Sequence, residues 1–231
     1  WKDVAISLNT ILKNFANEEK KLNFRQDQIR MYINKTEEQY NIFKSLNSKT
    51  YKLCIPEKLN INGRYLLNFE VVWPKIKKNI IKKYINKRCS FIHGDLCFSN
   101  ILLGKMNNTY SMKLIDPRGS FGKLLNNGDI YYDLAKLRHS LNGAYEYIIF
   151  DKFKLKINNN KFSFKFDNNN NYKILKIFDQ YVFSNYNYEK IKTIEGLIFI
   201  GMCARHYDSL KRQTCMYLTG IKNLNEIYIK L

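Results

Sequence analysis

Three oxygen-bearing side chains in the run from Phe91 to Gly122, FIHGDLCFSNILLGKMNNTYSMKLIDPRGSFG, carry the clearest chemistry in this chain. Asp95 follows His93-Gly94, Asn100 comes five residues later, and Asp116 ends a second apolar run. Ile101-Leu102-Leu103 and Tyr110 to Ile115 flank a polar turn, Lys105 to Thr109, so the segment reads as a loop followed by a β-hairpin. A hairpin of that length brings Asp116 back beside Asp95 and Asn100. Such a set suits phosphoryl transfer, which needs mainly a positioned hydroxyl and cations that neutralise phosphate charge. Magnesium prefers oxygen ligands, and Asp116 with Asn100 would hold it together with nucleotide phosphates and water. Asp95 is then the group that accepts or orients the proton of the attacking hydroxyl.

Two further motifs stand in order with this one. HGDLCFSN fits His-x-Asp, four residues, Asn, and IDPRG occupies the place of a kinase metal-binding turn. Downstream, Gly128-Asp129-Ile130-Tyr131-Tyr132-Asp133-Leu134-Ala135 resembles the Gly-Asp-Pro-x-x-Asp-Leu-Ala segment of the aminoglycoside phosphotransferase and choline kinase family. Over Phe91 to Leu137 the chain looks like the C-terminal lobe of that family. The resemblance implies Asp95 as catalytic base, His93 as brace of the catalytic loop, Asn100 and Asp116 as magnesium ligands, and Asp133 with Asp129 as structural support. It also implies ATP or GTP as phosphoryl donor and a hydroxyl compound, such as a sugar, an amino alcohol or an aminoglycoside, as acceptor.

Three positions depart from the relatives. Gly94 stands where most protein kinases carry Arg, which points to a small-molecule kinase. Cys97 replaces a His or Lys that serves the transferred phosphoryl, so that service must come from elsewhere. Arg118, two after Asp116, replaces an acid, and a guanidinium there suits a phosphate or an anionic substrate, as in surface-glycan (capsule) biosynthesis, better than a polycation.

The elements that must position these residues follow from periodicity. Asp3 to Phe15 has helical spacing with Asp3 as cap. Lys35 to Leu46 is a second helix, with Glu37-Glu38 at its start and Lys44 near its end, the order the macrodipole favours. Asn62-Gly63 reads as a turn beside a short strand. Trp73-Pro74 opens a helix to about Asn86, with Pro in the first turn. Asp129 to Ser140 is a helix, and His139 on it is a surface or packing residue. Phe153-Leu155-Ile157 alternates against Phe162-Phe164-Phe166 across Asn158-Asn159-Asn160, a hairpin inserted among helices. Tyr172 to Tyr186 and Glu189 to about Leu218 complete the helices. On the last, Arg205, His206, Asp208 and Arg212 interrupt the apolar pattern, share faces at spacings of three and four, and are candidates for acceptor contacts, with an ion-pair ladder as the plainer alternative.

The fold expected is α+β: a mainly helical, kinase-like large lobe in one domain over 1–231, with a lead-in (1–90), a core (91–140) and a hairpin-plus-helix region (141–231). No G-x-G-x-x-G and no strand-borne Val-Ala-x-Lys occurs, and the chain starts at Trp1, so a small N-terminal lobe is expected upstream. With 39 basic and 20 acidic residues the formal charge is +19. The lysines are scattered among Asn, Ile and Tyr, which favours a solvated basic surface over nucleic-acid binding. Five cysteines without a C-x-x-C pair argue against a zinc site or a disulfide framework. Without a signal peptide or a long apolar span, a cytoplasmic protein is expected. A non-catalytic, pseudokinase-type binding module is the alternative to a kinase.

Overall fold

The computed structural model describes residues 1–17, 20–21, 24–86, 88–106, 109–167 and 171–231, with side chains omitted at 17, 20–21, 105–106, 109–110 and 171. It is a mainly helical α+β structure with small sheets. The core is built on α9 (Tyr188–Cys203), whose Ile191, Ile194, Leu197, Phe199 and Ile200 are all buried. A helix apolar on every side must be enclosed. It is packed by α10 (Leu210–Tyr228), α6 (Ile130–Leu141) and α3 (Lys35–Ser45). Each such buried side chain contributes about 1.5–3 kcal/mol.

The chain begins with α1 (Lys2–Asn17), the short strand β1 (Lys20–Lys21) and α2 (Arg25–Ile29). The helix expected to start at Lys35 in fact starts at Arg25: α2 runs through a π-turn, Arg30–Asn34, directly into α3. A second correction concerns Pro74. Helix α5 spans Phe69–Asn79, after α4 (Ser48–Cys54), β2 (Lys58–Ile61) and β3 (Arg64–Leu67), so Pro74 is interior and another π-turn, Ile80–Tyr84, follows. Asn68 sets the earlier start. Its Oδ1 accepts from the Phe69 N–H at 2.9 Å, and its Nδ2 donates to the carbonyls of Leu53, Cys54 and Pro56.

Strand β4 (Arg88–Phe91) pairs with β1 and with β9 (Asn127–Gly128). The hairpin β5 (Ile101–Met106) and β6 (Thr109–Leu114) lies where the sequence places it; Asn107 and Asn108 of its turn lie outside the described residues. A small ribbon, β7 (Ser120–Phe121) with β8 (Leu124–Leu125), precedes β9. Helix α7 (Tyr145–Ile149) leads to β10 (Phe153–Asn158) and β11 (Lys161–Phe166), whose register pairs Phe153 with Phe166, Leu155 with Phe164 and Ile157 with Phe162. That hairpin is not isolated: β11 runs parallel to β2, giving a four-stranded sheet β10-β11-β2-β3, so the 1–90 region is not purely a helical lead-in. The β2–β3 turn sits at Asn62 and Gly63, with φ +49° and +81°.

After α8 (Asn171–Tyr181), the helix expected over 189–218 is two helices, because the chain breaks between Cys203 and Leu210. Gln213 donates from Nε2 to the Cys203 carbonyl at 2.8 Å, and Ser209 Oγ accepts from the Arg212 N–H, so one orphan backbone group at each helix end finds its partner within or beside the break. Arg205 and Asp208 therefore do not share a helix face. No helix among the described residues is long and apolar enough to cross a membrane.

Candidate active site

The loop from His93 to Asn100 is clamped at both ends. Asp133, fully buried on α6, accepts from the backbone N–H groups of His93 and Gly94, each at 2.7 Å. Burial pushes its carboxyl up to about 7, against the opposing pull of those two donors. His93 ties the loop to the segment after β6. Its Nε2 donates to the Ile115 carbonyl at 2.9 Å while Nδ1 accepts from the Asp95 N–H at 3.3 Å, which fixes the orientation of the ring. The His93 carbonyl accepts from the Arg118 N–H at 2.9 Å. Gly94 has φ +79°, and an added Cβ would sit 3.0 Å from Arg118 Cβ, so glycine is dictated here by backbone conformation and by the close passage of Arg118.

Asn100 is buried at the other end. Its Nδ2 donates to the Asp95 carbonyl at 2.8 Å, leaving Oδ1 without a protein partner among the described residues. Its carbonyl accepts from the Ile115 N–H at 3.0 Å, so the backbone entering Asp116 is joined to both His93 and Asn100. Asp116 is exposed with φ +53°, a left-handed conformation that Asp tolerates better than most residues. Among the described residues no group of three or more His, Cys, Asp or Glu side chains could hold a metal. Asn100 Oδ1 is an oxygen donor of the kind magnesium takes, and the Asp116 carboxylate stands on backbone tied to the same residue.

Asp95 opens into a cavity of about 400 Å³. There a residue missed by sequence reasoning meets it: Lys136, on α6 one turn beyond Asp133, places Nζ 2.7 Å from Asp95 Oδ1, with its side chain 9% exposed and that of Asp95 40%. Burial alone would lower the Lys136 ammonium, but the fields of Tyr132 and Asp95 carry it above its ordinary value. The available signal was position: a lysine among Leu134, Ala135 and Leu137, three residues after a loop-clamping Asp, faces the same loop. Cys97, also buried, contacts Ser99 Oγ through Sγ at 3.1 Å, and burial raises its thiol.

The other candidates separate into two groups. Arg118, Arg205 and His206 line the cavity with Asp95, and Arg118 Nη1 donates to Tyr132 Oη at 3.2 Å. Asp208 and Arg212 do not line it: Arg212 binds Asp151 through two nitrogens, at 2.6 and 3.1 Å, and Asp208 at 3.2 Å, in an exposed cluster. Asp129 caps α6 by accepting from the Tyr131 N–H, and it pairs with buried Lys190 at 2.7 Å, bracing the helix that carries Asp133 and Lys136. Lys35 and Tyr145, unmarked in the sequence, also line the cavity, and His139 is enclosed between the rings of Tyr145 and Phe199. Comparison with family models, with curated proteins and with solved structures finds no match to this chain.

Proposed function

We propose that the chain is the helical large lobe of a kinase-like phosphotransferase that moves the γ-phosphoryl of ATP or GTP to a hydroxyl of a small molecule. The observation that carries this reading is the Asp95 carboxylate, held on a loop clamped by Asp133 and opening into a cavity beside a buried lysine. Asp95 would take the hydroxyl proton through the oxygen not engaged by Lys136. Lys136 would supply, from α6, the positive charge that Cys97 cannot, stabilising the transferred phosphoryl. Asn100 Oδ1 and Asp116 would hold magnesium, which when bound screens phosphate charge. The His93 clamp keeps Asn100 and the Asp116 backbone in one unit.

The test is a metabolite-library phosphorylation screen of the intact protein with Mg-ATP and Mg-GTP, read by mass shift. Asp95→Asn should lower turnover about 10²–10⁴-fold, the usual worth of a general base, with nucleotide binding kept. Normal turnover by Asp95→Asn would refute the assignment. The Lys136–Asp95 ion pair also favours a second reading, a pseudokinase-type binding module in which that pair is structural. Calorimetric binding of Mg-ATP without turnover of any library member would select it.

A further inference from the structure

Four cationic side chains, Lys35, Arg118, Lys136 and Arg205, line the cavity beneath Asp95 against that one carboxylate, a local excess of three positive charges. Lys136 is neutralised by Asp95, whereas Lys35, Arg118 and Arg205 form no ion pair among the described residues. Like charges gathered in a partly closed space repel, and the site shows it: burial first, then the fields of Arg118, Arg205 and Lys136, bring the Lys35 ammonium down to about 8, with Glu38 only partly offsetting them. Lys35 is half-buried and Arg118 and Arg205 are exposed at the cavity's edge, so three cations from three separate chain segments face one space while two of them stay open to an incoming anion. The same three, with Met31, also line an adjoining groove of about 650 Å³, so they form the wall between the two spaces.

The rest of the lining limits the ligand. Ile194, Leu197, Ile198 and Met202 from α9 make an apolar floor, and Tyr132 and Tyr145 add ring faces, a mixture suited to the carbon skeleton of a sugar or polyol. Neither Asn100 nor Asp116 is among the residues that line this cavity.

We infer that this cavity is the acceptor site and that it takes an anionic hydroxyl compound, a sugar or polyol bearing a phosphate or carboxylate, with the anion seated on Lys35, Arg118 and Arg205 and a hydroxyl presented to Asp95. The inference rests on the phosphotransferase reading for the role of Asp95, but not for the anion seat. Arg118 contributes through its guanidinium fork, which matches phosphate and carboxylate oxygens.

The experiment has a binding arm and a turnover arm on the intact protein. Inorganic phosphate is titrated by calorimetry, alone and with saturating Mg-ADP, into wild type, Asp95→Asn and the double variant Lys35→Met/Arg205→Gln. Saturable phosphate binding that survives Mg-ADP, weakens at least about tenfold per cation removed in the double variant, and is kept or tightened in Asp95→Asn, is the result expected. Binding abolished by Mg-ADP would assign the cations to the nucleotide and overturn the inference, as would binding unchanged in the double variant. In the turnover arm, matched pairs such as glycerol and glycerol 3-phosphate, or glucose and glucose 6-phosphate, are compared. Preference for the anionic member, lost as a raised KM in the double variant, supports the assignment; equal use of neutral or cationic acceptors overturns it while leaving a kinase. Phosphate binding with no turnover of any compound would remove the kinase reading and leave the anion seat standing.

Discussion

Replacing Asp133 isolates the contact on which the geometry of the loop depends. Its two oxygens accept from two buried backbone donors, the N–H groups of His93 and Gly94, each at 2.7 Å. A leucine fills similar space and serves neither donor. An unsatisfied buried donor costs about 1–3 kcal/mol, so Asp133→Leu should destabilise by roughly 2–6 kcal/mol, a large part of a typical domain's 5–15 kcal/mol. Asparagine keeps one acceptor and turns an NH₂ toward the other N–H, so Asp133→Asn should lose roughly 1–3 kcal/mol. The pH dependence has a definite sign. Because burial raises the folded carboxyl to about 7 from its ordinary 3.8, the folded chain holds a proton there that the unfolded chain releases. Its contribution is therefore fully present below the unfolded value and declines as pH rises through about 7, by at most about 1.4 kcal/mol per unit. Urea unfolding followed by far-UV circular dichroism at pH 5 and pH 8, with the slope checked for constancy, measures both effects. A leucine variant within about 0.5 kcal/mol of wild type at both pH values would refute the clamp.

Other outcomes follow from single contacts. His139 is fully buried with no hydrogen-bond partner on either ring nitrogen among the described residues, and burial, then Lys136 and His206, hold its pKa well below 6.5. Below pH 6.5 the unfolded chain gains a proton that the folded chain refuses, so wild type should lose stability relative to His139→Leu at up to about 1.4 kcal/mol per pH unit, measured by urea unfolding. Lys35, brought to about 8 by burial and by Arg118, Arg205 and Lys136, should make phosphate binding weaken between pH 7 and 9, and Lys35→Arg should remove that dependence in the same calorimetric titration. Arg212→Ala should leave the acceptor KM within about twofold, since its pairs with Asp151 and Asp208 are exposed and outside the cavity, whereas Arg205→Gln should raise it.

How much was legible in the chain depends on how local the determining physics is. The span Ile130–Leu141 was readable because its cap, Asp129, and its apolar stripe are adjacent in sequence. The β10–β11 hairpin was readable from its alternation, but not its register: the turn is Asn159–Asn160 alone, with Asn158 paired to Lys161, where the three asparagines had read as the turn. The parallel contact of β11 with β2, pairing Asn60 with Lys161, was not, since nothing in either strand names the other. Nor could residue types alone reveal that Lys136 reaches Asp95, a pairing that depends on how α6 meets the loop.

Five of the cavity residues, Met31, Tyr32, Lys35, Arg205 and His206, were missed or misplaced for one cause. Met31, Tyr32 and Lys35 enter the cavity from a π-turn and the residue just after it, where one extra residue per turn shifts the phase of the helix. Arg205 and His206 enter from the break between α9 and α10, where the helix stops and the side chains are released from its faces. Sequence reasoning reads helices through their period, and it loses the face of any residue at a point where the period is interrupted. Those interruptions are also where Lys35 and Arg205, which cannot enter an apolar core, turn into a charged cavity, so part of this site's lining falls where periodicity reads least well.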